Sequence, residues 1–268
     1  MVFMPTVTQI IRNTKQPKGG YIPARWLNKH EFNQSASDRT YDENIKPQII
    51  GTVVDYLTRY CLIHPKDEKQ IDEAFHICGM GAEIIDDVWG FKQHILKMRT
   101  FDEDETVFLD DETIKHAVQL IHYDVIYRTG SSEFAPTSDE LKPDDDTIKS
   151  IRQSVERAMY FFSKMRTPID SEIVFDGGFN DYVTNGDGDF LANDTIWDMK
   201  VSKYPPNKDH TLQLAMYYIL AQASGQYKYT HIQRLGIYNP RLHTCYYINV
   251  KDIPKDTWQT IKYDIMQY

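Results

Sequence analysis

Near residue 165 the hydrophobic pattern of this chain changes its period, and that switch limits the folds open to it. Upstream, apolar residues recur at helix spacing. Pro47–Leu62 puts Ile49, Ile50, Val53, Val54, Leu57 and Cys61 on one face. Ile71–Leu96 repeats the pattern through Ala74, Phe75, Cys78, Ala82, Ile84, Ile85, Val88 and Phe91, with Gly79 and Gly81 as candidate break points. Thr113–Tyr127 and Asp144–Met165 read as two further helices, the second with Asp144, Asp145 or Asp146 available as its cap. Acidic runs between these helices read as solvated loops and helix starts. Before them, residues 1–44 read as a short helix near Thr8–Asn13 followed by loop.

Downstream the elements are short and β-prone. Ser171–Phe175, Asp189–Leu191 and Thr195–Val201 are bounded by Gly, Asn and Asp. Leu212–Ala223 is an apolar helix. Ile232–Tyr238 and Thr244–Val250 flank Asn239-Pro240-Arg241, a hairpin signal, and Lys255–Met266 closes with a helix. Helices followed by strand, strand, helix, strand, strand imply an α/β or α+β fold, a mixed sheet flanked by helices. The expectation is one domain over 1–268 with a helical insertion over 64–143.

With 41% hydrophobic residues the chain can fill a core, so a disordered chain is excluded. It has no apolar run near the roughly 20 residues of a membrane span. Its first residues lack the order of a signal peptide, so a soluble, cytoplasmic protein without a membrane partner is expected. Cys61, Cys78 and Cys245 are far apart, form no CxxC pair and read as free thiols, so neither a zinc site nor an iron–sulphur cluster is expected. The histidines form no HExxH pattern. A net charge of −9 argues against a protein that coats nucleic acid by electrostatics alone. It leaves room for an enzyme that uses a local basic groove and a bound cation. Lys15, Lys18 and Arg25, interleaved with Tyr21 and Trp26, suit either a solvated N-terminal arm or an arm that grips a nucleic-acid strand.

The chemistry concentrates in Gly186–Lys203, GDGDFLANDTIWDMKVSK. On a strand over Thr195–Val201, Asp198 and Lys200 point the same way, Ile196 shares their face and Met199 points into the core. A turn returns Asp189 beside Asp198. Two close carboxylates need a cation or a proton between them. Magnesium or manganese favours such oxygen ligation, polarises a phosphoryl oxygen and lowers the pKa of water. Lys200 then stands ready to orient or deprotonate that water, or to steady developing charge. Asp189, Asp198 and Lys200 are a complete set for phosphodiester hydrolysis.

This pattern resembles the RecB-like exonuclease branch of the PD-(D/E)XK nuclease superfamily. Gly186-Asp187-Gly188-Asp189 matches its G-x-x-D turn, and Asp198-Met199-Lys200 matches its D-x-K. Gln213 and Tyr217, one turn apart in LQLAMYY, match Q-x-x-x-Y. The resemblance implies a restriction-endonuclease-like fold and a metal-dependent nuclease acting on DNA, exonuclease favoured over endonuclease. It implies Asp189, Asp198 and the Met199 backbone carbonyl as metal ligands, and Gln213 and Tyr217 as substrate-binding residues. A further ligand is implied from an early helix. Gly51-Thr52-Val53-Val54-Asp55 matches G-T-x-x-H except that Asp55 replaces the His, and Glu83 in GMGAEIIDD is the other candidate.

Two other function classes stand beside this one. One is a DNA-binding module of the same fold without catalysis, which would have no need of all three of Asp189, Asp198 and Lys200. The other is a calcium-stabilised interaction protein built on Asn185–Asp189. That stretch fails the EF-hand pattern, with Phe190 and Ile196 where Gly and Glu are required, and this class has no use for Lys200.

Overall fold

The structure, a computed structural model, describes residues 5–32, 41–103, 105–106, 108–165, 169–171 and 173–268. In chain order the elements are α1 (Val7–Asn13), β1 (Asn28–Glu31), α2 (Pro47–Ile63), α3 (Glu68–Ala74), α4 (His76–Ile84), α5 (Val88–Ile95), α6 (Asp111–Thr129) and α7 (Asp145–Phe162). They continue as β2 (Ile173–Val174), β3 (Asp187–Gly188), β4 (Phe190–Ala192), β5 (Thr195–Met199), α8 (Lys208–Ala223), β6 (Arg234–Asn239), β7 (Thr244–Asn249) and α9 (Lys255–Gln259). The fold is α+β with a mixed sheet. No helix of the described residues is long and apolar enough to cross a membrane. The chain divides into two compact units, Met1–Asn33 with Lys164–Tyr268, and Gln34–Ser163. The segment 64–143 expected as an insertion lies within the second.

The second unit is helical. In it α6 packs against α2, α4, α5 and α7. The stripes foreseen in the sequence face inward: Ile50, Val53, Val54 and Leu57 from α2, Ile114, Val118 and Ile121 from α6, Ile151 and Val155 from α7. Asp110 and Asp144 cap α6 and α7 by accepting from the N–H groups of Thr113 and Thr147. Gly79 and Gly81, expected as break points, instead lie inside α4. A Cβ at Gly81 would strike the Tyr123 backbone, so that glycine allows α4 to lie close against α6. The breaks come at Phe75, which separates α3 from α4, and before α5, whose start is capped by Asp87.

The first unit is built on a five-stranded sheet in the order β1-β7-β6-β5-β4, with β2 and β3 in a separate two-stranded sheet. Only β5 and β6 pair in parallel among these strands. A parallel pair needs a crossover, and α8 supplies it. Ile196, Leu235, Ile237, Tyr246 and Ile248 form a buried cluster with Leu212, Met216 and Leu220 of α8. α8 is apolar nearly all round, as a helix covered on every side must be. α1 packs on it, and α9 runs into a π-helical turn over Thr260–Ile265 that also touches it.

Two expectations are corrected here. The strand stops at Met199 rather than Val201. Met199 is buried as expected, on the face it shares with Trp197, while Ile196 and Asp198 share the face toward α8. In addition, β1 occupies a stretch read as loop. Its residues Asn28-Lys29-His30-Glu31 are all exposed, and they form a strand because β7 offers an edge to pair with.

Candidate active site

β5 and α8 bring the polar residues together. Asp198 is the penultimate residue of β5 and Lys200 follows its end, so both stand at the carboxyl end of a parallel strand, where open sheets of this kind bind ligands. The Lys200 backbone N–H donates to the Tyr238 carbonyl at 2.9 Å, extending the β5–β6 ladder by one residue. This keeps strand alternation through Lys200, whose ammonium reaches Asp198 Oδ1 at 2.9 Å. The Asp198 side chain is 1% exposed and that of Lys200 27%. A carboxylate so deep is costly to ionise without compensation, and Lys200 compensates it while still reaching solvent.

Asp189 is the single residue between β3 and β4. The antiparallel register pairs Phe190 with Trp197, and one more step sets Asp189 opposite Asp198. Asp189 Oδ2 accepts from the Met199 N–H at 2.7 Å, which ties the bend to β5. Thus the hydrogen bond seen at the Met199 backbone runs through its N–H, whereas the resemblance implies a role for its carbonyl.

On the nearly all-apolar α8, the polar residues stand out. Gln213 and Tyr217 are one turn apart, and Gln213 Nε2 donates to the Tyr217 hydroxyl at 2.7 Å. Burial raises the Tyr217 pKa well above the usual phenol value, and the charges of Asp198, Asp189 and Asp187 raise it further. The ring therefore lies within electrostatic reach of all three carboxylates. His210 begins the same line at helix spacing, His210–Gln213–Tyr217. Burial, then the nearby Lys200 charge, lowers its pKa to about 4. Its Nδ1 accepts from the Asn207 N–H at 3.3 Å, so a neutral His210 carries its proton on Nε2. His210 and Asp187 escaped the sequence reading. The three-residue step back from Gln213 was the signal for His210.

Asp55 and Glu83 belong to the second unit. Asp55 Oδ2 is engaged by Arg59 Nη2 at 2.8 Å, one turn along α2, and Glu83 is exposed on α4. Among the described residues no group of three or more His, Cys, Asp or Glu side chains is assembled to hold a metal. Asp189 and Asp198 offer oxygen donors alone. That chemistry fits a hard cation such as magnesium, which commonly takes one or two carboxylates and fills its remaining positions with water and substrate phosphate. Set against protein-family models, curated proteins and solved structures, the chain matches none of them.

Proposed function

We propose that this chain is a nuclease that hydrolyses phosphodiester bonds of DNA with magnesium or manganese, acting as an exonuclease. The observation that carries the reading is the Asp198–Lys200 pair at the end of β5, with Asp189 in register beside it. A carboxylate pair with an ammonium on one strand face suits in-line attack on a phosphate. The Gln213–Tyr217 pair on the covering helix adds hydrogen-bonding groups at its flank.

Asp189 and Asp198 would hold the cation. When bound, it supplies Lewis acidity toward a phosphoryl oxygen and a water of lowered pKa. Lys200 Nζ donates toward the phosphate oxygens, where charge grows in the transition state. Asp198 fixes the direction of that ammonium. Gln213 and the Tyr217 hydroxyl orient the strand. Burial keeps Tyr217 protonated, so it acts as a hydrogen-bonding group and not as a base.

The test is cleavage of linear and closed-circular DNA with magnesium or manganese, by wild type and by Asp198→Asn. Linear DNA shortened from its ends by wild type alone is the expected result. Nicking of the circle moves the reading to an endonuclease. Tight binding in calcium with no cleavage in either active metal leaves a DNA-binding module and sinks the nuclease reading.

A further inference from the structure

The N-terminal arm carries cations that the site above does not use. Pro17–Gly20 is a turn closed by the Gly20 N–H on the Pro17 carbonyl at 2.9 Å. Gly19, its third residue, has φ +90°, which only glycine adopts readily. Lys18 stands exposed at the second position. The turn is fastened to the first turn of α8. Gln16 Nε2 donates to Asp209 Oδ1 at 2.6 Å, and Thr211 Oγ1 donates to the Ile22 carbonyl at 2.7 Å. Gly20 lies so close to α8 that a Cβ there would stand 2.6 Å from Lys208 Cβ. Arg25 reaches back over the turn, with Nη1 4.0 Å from where a Cβ on Gly19 would be.

Lys18 and Lys208 therefore spring from backbone beside Gly19–Gly20, and the Arg25 guanidinium lies near Gly19. All three are exposed. The carboxylate that fastens the turn, Asp209, accepts from Gln16, and in a chain of net charge −9 three cations beside it are a local excess of positive charge. The N–H groups at the start of α8 are not the attraction, because Asn207 Oδ1 already accepts from those of Asp209 and His210. The cationic side chains are. Next along α8 comes His210, then Gln213 and Tyr217.

We infer that Lys18, Arg25 and Lys208 bind backbone phosphates of the DNA strand that enters the Asp198–Lys200 site, which lies on past His210. The identity of the strand rests on the nuclease reading, but the surface does not need catalysis to bind. The contact is electrostatic and independent of base sequence.

The experiment is fluorescence anisotropy of a short labelled DNA duplex in calcium across a salt titration. It compares wild type with a Lys18→Gln, Arg25→Gln, Lys208→Gln triple variant, and melting is followed in parallel. Each phosphate contact contributes about 0.9 to the slope of log affinity against log salt. The triple variant should lose about 2 to 3 from that slope, and at low salt bind about tenfold or more weakly. Its melting temperature should be unchanged, since the side chains are exposed. Gly20→Ala, which keeps every charge but displaces the turn, should weaken binding too. An unchanged slope in the triple variant overturns the inference even if wild type cleaves DNA. Arm-dependent binding by a wild type that cleaves nothing overturns the nuclease reading and upholds the inference.

Discussion

Each unit buries an aspartate, and the two are treated differently. Asp124 of α6, in the helical unit, is 2% exposed, and both of its oxygens are taken: Tyr56 donates to Oδ1 at 2.7 Å and Arg128 Nε to Oδ2 at 2.8 Å. Asp198 in the sheet unit is 1% exposed, and Lys200, a cation on a flexible stem, pairs with its Oδ1. The first arrangement is a network inside a helix bundle. The second stands at the end of a parallel strand with another carboxylate in register beside it. Burial alone therefore does not single out Asp198 as the candidate; its place in the topology and the carboxylate beside it do.

The sharpest way to break this comparison is Lys200→Ala. If the ammonium acts on developing charge, kcat should fall about a hundredfold or more. DNA affinity in calcium should change little, as one lysine is a small part of the phosphate contacts. Gln213→Ala, by contrast, should chiefly raise KM, because a positioning contact is made in ground and transition states alike. Steady-state cleavage of a labelled duplex separates the two, and a wild-type rate for Lys200→Ala would place the chemistry elsewhere.

The next largest effect lies in stability. Asp124→Ala should cost about 2 to 3 kcal/mol, since it leaves the buried Tyr56 hydroxyl without its acceptor. Arg128, with an exposed side chain, can turn to water. Asp198→Asn should cost less than about 1 kcal/mol while removing activity, because neutralising a deep carboxylate relieves its desolvation. Urea melts of both variants test this. Equal losses would erase the distinction between the two sites.

The smallest effect is one of pH. His94 and His116 of the helical unit meet with their Nδ1 atoms 2.9 Å apart. Burial lowers both pKa values, that of His94 to about 4, with the His116 charge as the next cause. The unfolded chain therefore takes up protons at these positions first. Stability is full above the unfolded histidine value near pH 6.5 and declines as pH falls from there toward 4. A His94→Gln, His116→Gln variant should lose less of its urea midpoint than wild type between neutral and mildly acidic pH. An identical decline would show that other groups set the acid limit.

Legibility in the sequence followed how one-sided each element is. α7 has a wet face and α2 and α6 a half-buried one, so their apolar spacing announced them, and Asp144 marked a start. The β6–β7 hairpin was visible from its turn. β5 was found as a strand, but every one of its residues is buried, so nothing in Thr195–Met199 told which face met α8. β1 was invisible for the opposite reason, having no buried residue at all. Of the candidate site, Asp189, Asp198 and Lys200 came from residue types at fixed spacing, and Gln213 and Tyr217 from the Q-x-x-x-Y of the resemblance. His210 offered only its three-residue step back from Gln213, because its nearness to Lys200 depends on how α8 crosses the sheet.

Gly236 leaves room for the Trp197 ring, which lies across the place its Cβ would occupy. This has an optical consequence. Of the four tryptophans, Trp26 and Trp89 are exposed and Trp258 is partly so, while Trp197 is 6% exposed and directly precedes Asp198. An aqueous quencher such as iodide silences the exposed indoles first and leaves a blue-shifted emission dominated by Trp197. That residual light reports from inside the sheet, one residue from the candidate carboxylate. The quenchable light of Trp26, beside Arg25, reports from the arm.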